Sequence, residues 1–454
     1  MKNNKVVCFG AGEMAEVYWD FLCYLGIEIV CWIDNDRSKQ GKSIFDKPIK
    51  AISELINCEY KILITSVYFE EIFHQLDSLG FGNKVITLDE LIDENVLVNN
   101  ERVLNKEYTL FFDAHDGYPN WAGTEIWALN LCERSILFKN KCLIVTEGME
   151  NELRNKEIDI YEAPKRGGCA EIIELLQRQL PIVVIQSFGK YVLFAALYLK
   201  KKYPEMVKII AVMHNDIDAN IKRQSMYENY LDGVVGVSEN IKYRASRIFK
   251  KCQIETFTQA IVIPPNIERK YTENGILRIG YAARLVKKQK RADLLIDFIS
   301  EMEKKNVPYL LKIAGEGELY SELECFIQRQ GLNNKIKMLG QIPIDLMGHF
   351  WENVDIYINL SEYEGCSLAM LEAMSYKCVP IVTNVSGVNE IISEKNGVIC
   401  EVGDVKSIVE KVVQLADPVK LKEFGENAYS SVAENCNINQ YAYKWANYIN
   451  ERIY

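Results

Sequence analysis

Residues Val354–Pro380 read VDIYINLSEYEGCSLAMLEAMSYKCVP. Val354 to Leu360 has the apolar content of a buried strand. Ser361 to Gly365 is a tight polar loop. The spacing of Leu368, Leu371, Glu372 and Met374, with no Pro or Gly between them, predicts a helix from about Ser367 to Tyr376. A loop between a buried strand and a helix N-terminus suits an anion: free N–H groups leave the first turn, and the helix dipole favours negative charge there. Two carboxylates frame this loop. Glu364 lies within it, and Glu372 follows eight residues later (372 − 364 = 8). A helix-end charge and a solvated face would give the same pair. Against that stands the setting of Glu372 among Ala, Met and Leu, where an unpaired carboxylate is costly to bury.

Composition narrows the classes. The chain has 454 residues, about three domains by length. Hydrophobic residues make up 48% and charged residues 26%, as in soluble globular proteins. A net charge of −10 argues against a nucleic-acid binder. Thirteen scattered cysteines with no C-x-x-C pair point to a reducing cytosol rather than a disulfide framework or zinc site. The start, MKNNKVVCFGAG, has too short an apolar run for a signal peptide. Pro181–Leu199 is apolar but interrupted by Gln186, Ser187, Gly189 and Lys190, so it reads as strand, loop and helix rather than a membrane span.

In this setting EGCSLAMLEAMSYKCVPIV (Glu364–Val382) resembles the E-x7-E motif of retaining GT-B glycosyltransferases, the class that includes glycogen-synthase-like and phosphatidylinositol-mannosyltransferase-like enzymes. The resemblance implies that Glu364 contacts the donor sugar and Glu372 the ribose hydroxyls. The N–H groups near Ser367 and Leu368 would take the diphosphate. Cys366-Ser367 stands where the family more often has Phe-Gly, and Lys377 where it usually has Gly.

Outward from this stretch, the second half supplies the expected companions. Leu277–Ala282 is a strand, followed by Arg284-Leu285-Val286-Lys287-Lys288-Gln289-Lys290-Arg291. This is similar to the family's Arg-Leu…Lys element, whose two cations neutralise the diphosphate through charge-assisted bonds. Arg284 and Lys290 take those roles, with Lys288 a rival because Arg291 replaces the usual Gly after the Lys. Tyr309–Ala314 ends in Gly315-Glu316, where the family has a G-x-G step beside the nucleobase. Ser386–Glu390 resembles a Gly-x-x-Glu turn, with Glu390 read as structural.

In the first half, Tyr108–Asp113 is a strand and a helix starts at Thr124. Gly123 matches the glycine loop that faces the donor phosphates, although Ala122 replaces its partner Gly. Asp113, His115 and Asp116 are read as a polar loop rather than a metal site. Strand Val207–Met213 delivers His214 at its C-terminal end, where ligands bind in open parallel sheets. The resemblance puts His214 near the donor sugar. The basic stretches 200–202 and 242–251 read either as a solvated face or as a peripheral membrane contact, at ~1 kcal/mol per cation.

The front of the chain carries its own signal. Gly10-Ala11-Gly12-Glu13-Met14-Ala15 follows a strand (Lys5–Phe9), opens a helix, and precedes Asp34 by 22 residues (34 − 12). This is the dinucleotide-fold fingerprint. The unit resembles the small Rossmann-like domains fused to surface-polysaccharide enzymes. Two readings stay open: a bound nucleotide held by Gly10, Gly12 and Asp34, or an assembly module.

The expectation is an α/β chain: a Rossmann-like domain (1–98), a linker (99–106), and a GT-B fold of two Rossmann-like lobes facing a cleft (107–265 and 266–435). A terminal helix (436–454) crosses back to the first lobe. The resemblance implies a retaining, metal-independent, cofactor-free transferase that moves sugar from a UDP- or GDP-linked donor to a glycan, lipid-linked or protein acceptor in bacterial surface polysaccharide synthesis. It would be cytoplasmic or peripheral at the inner membrane face. The alternatives are a nucleotide-sugar 2-epimerase and a non-catalytic scaffold.

Overall fold

The computed structural model describes residues 4–55, 58–99, 108–114, 123–134, 141–146, 159–162, 168–187, 191–266, 268–269, 271, 275–305 and 307–452. Three sheets follow one another along the chain. The first holds β1 (Lys5–Phe9), β2 (Glu28–Ile33), β3 (Ser43–Ile44), β4 (Lys47–Lys50), β5 (Lys61–Ile64) and β6 (Val85–Ile86), in the order β3-β4-β2-β1-β5-β6. The second holds β7 (Thr109–Ala114), β8 (Lys141–Thr146), β9 (Asp159–Glu162), β10 (Ile182–Gln186), β11 (Val207–Met213), β12 (Gly233–Gly236) and β13 (Ile254–Thr256), in the order β13-β12-β11-β10-β7-β8-β9. The third holds β14 (Leu277–Ala282), β15 (Tyr309–Ala314), β16 (Ile336–Gly340), β17 (Ile356–Asn359), β18 (Val379–Thr383) and β19 (Val398–Cys400), in the order β16-β15-β14-β17-β18-β19. All described pairings are parallel except β3 with β4. Central strands such as β10 and β17 are buried along their whole length, as parallel sheets covered by helices require.

The β3–β4 hairpin escapes the sequence reading for a clear reason. Its turn places Phe45 and Asp46 at φ 50° and 57°, a conformation that Gly or Asn normally announces. The helix Leu88–Asn95 also lies outside that reading's strands and helices, and it opens on a reciprocal capping box of Thr87 and Glu90. Helix Glu239–Ser246 covers only the first part of the basic stretch 242–251; beyond it, Glu228 accepts the backbone N–H groups of Lys250, Lys251 and Cys252.

The first domain is packed onto the second sheet's helices. Helix Ala15–Tyr24 sets Tyr18 and Phe21 edge-on to Phe194, at 4.9 and 5.2 Å between ring centroids. Asp20 accepts the backbone N–H of Cys169 at 2.8 Å. This seam also corrects the reading of 200–202 as an open basic face. Lys200 bonds both oxygens of Asp232, Lys201 pairs with Asp93 of the first domain, and Lys202 lies over the Tyr198 and Tyr203 rings.

The terminal helix, Ile438–Arg452, packs on residues of the second sheet's lobe. Ile261 N–H donates to the Cys436 carbonyl, Ile438 N–H donates to the Ile261 carbonyl, and the helix buries Trp445 against Phe257 and Trp127. No described helix is long and apolar enough to cross a membrane. All thirteen cysteines are free thiols.

Candidate functional site

The site is built where the third sheet's strands end. Asp355, fully buried at the start of β17, anchors the stretch by accepting from Arg278 at 2.5 and 2.9 Å, with Arg269 at 3.6 Å. At the far end of β17, Asn359 accepts from Ser361 N–H, and Ser361 O accepts from Thr383 Oγ1. Those bonds turn the chain so that Ser361 Oγ donates to Glu364 Oε1 at 2.7 Å. Lys290 reaches the same oxygen at 2.5 Å, with both side chains mostly buried.

The Arg-Leu…Lys loop is drawn in by backbone. Glu362 N–H donates to the Gln289 carbonyl at 2.8 Å, and Gln289 Oε1 holds Arg284 at 3.0 Å. Gln289 and Arg291 adopt φ 75° and 48°. Arg291 and Lys377, the latter at φ 59°, stand at two of the positions where the family has glycine, so the left-handed backbone is kept with side chains that bring their own partners. Arg291 binds Asp293, and buried Lys377 binds Glu426 at 2.8 Å. Lys288, the rival cation, has no described bond to Glu364; Lys290 does.

Helix Leu368–Ser375 opens with Ser367 as its N-cap, its Oγ accepting from Met370 N–H. Ser367 thereby satisfies one first-turn donor that a glycine would leave free, and the N–H groups of Leu368 and Ala369 remain for an anion. Glu372 lies in the helix's second turn. It accepts from Trp351 Nε1 at 3.3 Å, and burial pushes its carboxyl up to about 7. Gly315 and Gly317, at φ 139° and 153°, lie under the Arg284 loop. A methyl on Gly317 would come 2.5 Å from the Leu285 carbonyl oxygen. Glu316 sits beside Gly340, whose added methyl would lie 2.8 Å from Glu316 Oε1.

The first lobe closes over this edge. A methyl on Gly123, the first residue of helix Gly123–Cys132, would touch Leu368 at 3.6 Å. Gly365 is pressed on His214, its added methyl lying 2.6 Å from the His214 carbonyl carbon. The His214 ring has Ser187 Oγ 3.0 Å from Nε2, Gln259 Nε2 3.1 Å from Nδ1, and Trp127 edge-on at 4.8 Å. Burial pushes its pKa down to about 3, so the ring is neutral at working pH and is not a ready proton carrier. Across the seam, Ser386 Oγ donates to Asp216 at 2.5 Å, and Glu390 accepts from Glu239 N–H at 2.8 Å. Glu390 is therefore an interlobe tie, as its structural reading implies.

Glu364, Lys290, Ser367, Leu368, Gly123 and His214 thus gather at one edge between the lobes, with Arg284, Gly315, Glu316 and Glu372 around it. Gly10, Gly12 and Asp34 lie elsewhere, in the first domain. There both Asp34 oxygens are engaged: Oδ2 by Ala11 N–H at 2.9 Å and Lys39 at 3.1 Å, and Oδ1 by Asp36 N–H. The sequence reading missed Ser361, Gln289, Gln259 and Ser187, which orient the site through loop geometry that no spacing announces. His115, Asp116 and Ala122 lie outside the described residues, as do Gly189 and Lys190.

Comparison with known proteins agrees with this architecture. The family described as Glycosyl transferases group 1 matches residues 265–431, and C2185-like, N-terminal matches residues 2–87. An uncharacterised glycosyltransferase of Methanocaldococcus jannaschii is 28% identical over 229 residues, 48% of this chain and 61% of its own length. The Staphylococcus aureus poly(ribitol-phosphate) alpha-N-acetylglucosaminyltransferase is 26% identical over 225 residues, 49% of this chain and 44% of its own. The chain thus spans about half the length of these curated relatives. Among solved structures, Anabaena HepE with UDP and glucose superposes with a TM-score of 0.65 at 14% identity, covering 76% of this chain and 100% of HepE. TarM superposes at 0.64 and 15% identity, covering 76% of this chain and 99% of TarM. These likenesses place the two lobes in the GT-B fold, preceded by an additional domain with its own sheet.

Proposed function

We propose, from a group 1 glycosyltransferase domain over residues 265–431 set in a GT-B fold, that this chain transfers a sugar from a UDP- or GDP-linked donor to a glycan, lipid-linked or protein acceptor, with retention at the anomeric carbon. One observation carries the reading. Glu364 and Lys290 meet at 2.5 Å before helix Leu368–Ser375, whose Leu368 lies against Gly123 of the other lobe. The barrier to transfer is departure of a charged diphosphate from a carbon becoming oxocarbenium-like. Lys290, Arg284 and the N–H groups of Leu368 and Ala369 would stabilise that charge as it develops, which is electrostatic catalysis. Lys290 can hold Glu364 and a phosphate oxygen together, because an ammonium has three donors. Glu364 would orient the sugar, and Glu372 the ribose.

His214 serves this reading as a neutral wall and hydrogen-bonding group, its carbonyl against Gly365. No side chain is assigned as nucleophile; the leaving phosphate takes the acceptor's proton. The transfer needs no cofactor or metal in this reading. A nucleotide in the first domain would have to displace Ala11 and Lys39 from Asp34. Any membrane contact falls to the exposed part of 239–251, where Tyr243 and Arg247 lie together. Surface polysaccharide synthesis is the setting proposed for the acceptor.

The test is a thermal-shift and nucleotide-release screen of UDP-, GDP- and dTDP-sugars on the full chain, with and without a chelator. A ligand at a hundredfold excess over Kd adds about 2.7 kcal/mol of stability. Absence of any shift and of any nucleotide release across the panel would reject sugar transfer. Release of free nucleotide with an altered sugar and no acceptor would favour the epimerase instead.

A further inference from the structure

Helix Asp218–Ser225 follows His214 in the chain, and its composition is odd for a packed helix. Of its eight residues, DANIKRQS, only Ile221 and Gln224 are buried. A buried amide needs partners on every side. Gln224 finds them in Gln186 and Ser187, both fully buried at the end of β10. The two amides pair reciprocally: Gln186 Nε2 donates to Gln224 Oε1, and Gln224 Nε2 donates back at 3.2 Å. Gln224 Nε2 also holds the Ser187 carbonyl at 2.5 Å. Ser187 Oγ in turn lies 3.0 Å from His214 Nε2.

The same segment is gripped from the other side by the first domain. Arg223 lies 3.8 Å from Glu13 in the glycine loop. Tyr227 OH is 3.3 Å from Tyr18 OH, and Asn229 donates to Asp89 at 2.7 Å. Residues 218–230 therefore sit between two sets of bonds, one reaching the first domain and the other ending on the His214 ring. His214 is itself packed on Gly365, next to Glu364.

We infer that Gln224 is a positioning residue for the transfer site and that through it the first domain sets the His214 ring; this rests on the sugar-transfer reading above. The first domain then has a kinetic role that needs no ligand of its own. Its docked face holds helix Asp218–Ser225 at one height, and the Gln224–Gln186–Ser187 ladder transmits that height to His214. Misplacing a site group by an ångström can lower turnover by about a hundredfold.

The experiment uses the full chain with the donor that the screen identifies. Gln224→Leu should lower kcat by about tenfold or more, with donor KM nearly unchanged because the diphosphate grip on the other lobe is untouched. Tyr18→Phe, in the first domain and distant from the cleft, should lower kcat in the same direction by a smaller factor. The double variant Gln186→Leu/Gln224→Leu replaces both amides with apolar groups of similar size, so it regains thermal stability yet keeps the low kcat. The His214 ring 15N signals, identified by their loss in His214→Gln, should move in Gln224→Leu and in Tyr18→Phe. Turnover per folded molecule within about twofold of wild type in Gln224→Leu and in the double variant, or unmoved His214 signals, would overturn the inference. If the wild type releases nucleotide from no donor, the transfer reading fails, while the ring signals still decide the coupling.

Discussion

Replacing Glu372 by Gln is expected to stabilise the protein at alkaline pH while weakening its hold on nucleotide. Glu372 is partly buried on a helix whose Met370, Leu371, Ala373 and Met374 are buried, and the one described hydrogen bond to its carboxyl comes from Trp351 at 3.3 Å. Burial raises the carboxyl from 4.5 to about 7, partly offset by Trp351. The unfolded chain releases this proton near 4.5 and the folded chain near 7. The group's contribution to stability is therefore whole below about 4.5, erodes between 4.5 and 7, and is gone above 7. The gap is 7 − 4.5 = 2.5, and at about 1.36 kcal/mol per pKa unit the ceiling on the cost is about 3 kcal/mol.

Glutamine keeps the shape and an acceptor for Trp351 but carries no charge. Urea unfolding of both proteins should give nearly equal stabilities at about pH 4.5, and about 1–3 kcal/mol in favour of Glu372→Gln at about pH 8. UDP affinity at the higher pH should fall by about tenfold, because the anionic acceptor assigned to the ribose is lost. A stability difference that stays flat across this range would refute the argument, since Glu372 would then titrate like a solvated carboxylate.

Three further outcomes test other parts of the site. Lys290→Ala removes the cation at Glu364 and should lower transfer by at least about a hundredfold with the far-ultraviolet spectrum unchanged; donor-dependent turnover near wild type would reject the assignment of Lys290. Gly365→Ala pushes a methyl into the His214 carbonyl and the buried Val237 side chain, where the two lobes meet. Small-angle scattering should show a more open molecule and kinetics a loss of about tenfold or more, whereas an unchanged profile with full activity would show that the lobes need not meet there. Tyr441→Phe strands buried Trp127 Nε1, whose bond to Tyr441 OH is 2.9 Å, and should cost about 1–3 kcal/mol in denaturant unfolding.

Much of the site's outline was readable before any coordinates. Lys5–Phe9, Val207–Met213, Leu277–Ala282 and Tyr309–Ala314 are strands with the boundaries read from the sequence, since parallel strands covered on both faces must be apolar throughout. The strand–loop–helix at Val354–Pro380 was legible for the same reason, and family resemblance supplied roles for Glu364, Glu372, Arg284 and Lys290. What escaped were elements whose signal is conformational or relational. The β3–β4 turn uses Phe45 and Asp46 in a glycine-like backbone, and helix Asp218–Ser225 buries an amide rather than an apolar stripe. Lys200–Lys202 looked like a surface because three lysines in a row usually are one; Asp93 and Asp232, distant in sequence, make them a seam.

By itself the chain's residue order determined that three largely parallel α/β units would form and that a helix end suited to an anion would carry Glu364 before it and Glu372 within it. These are local consequences of apolar periodicity, loop composition and the helix dipole. Only the tertiary structure decided which of Lys288 and Lys290 meets Glu364, that His214 is a neutral, partly enclosed ring, and that the first domain is bonded to the lobe that carries His214. Those outcomes depend on distances between residues tens to hundreds apart in sequence, and hydrogen bonding and desolvation are set by such distances rather than by neighbours along the chain.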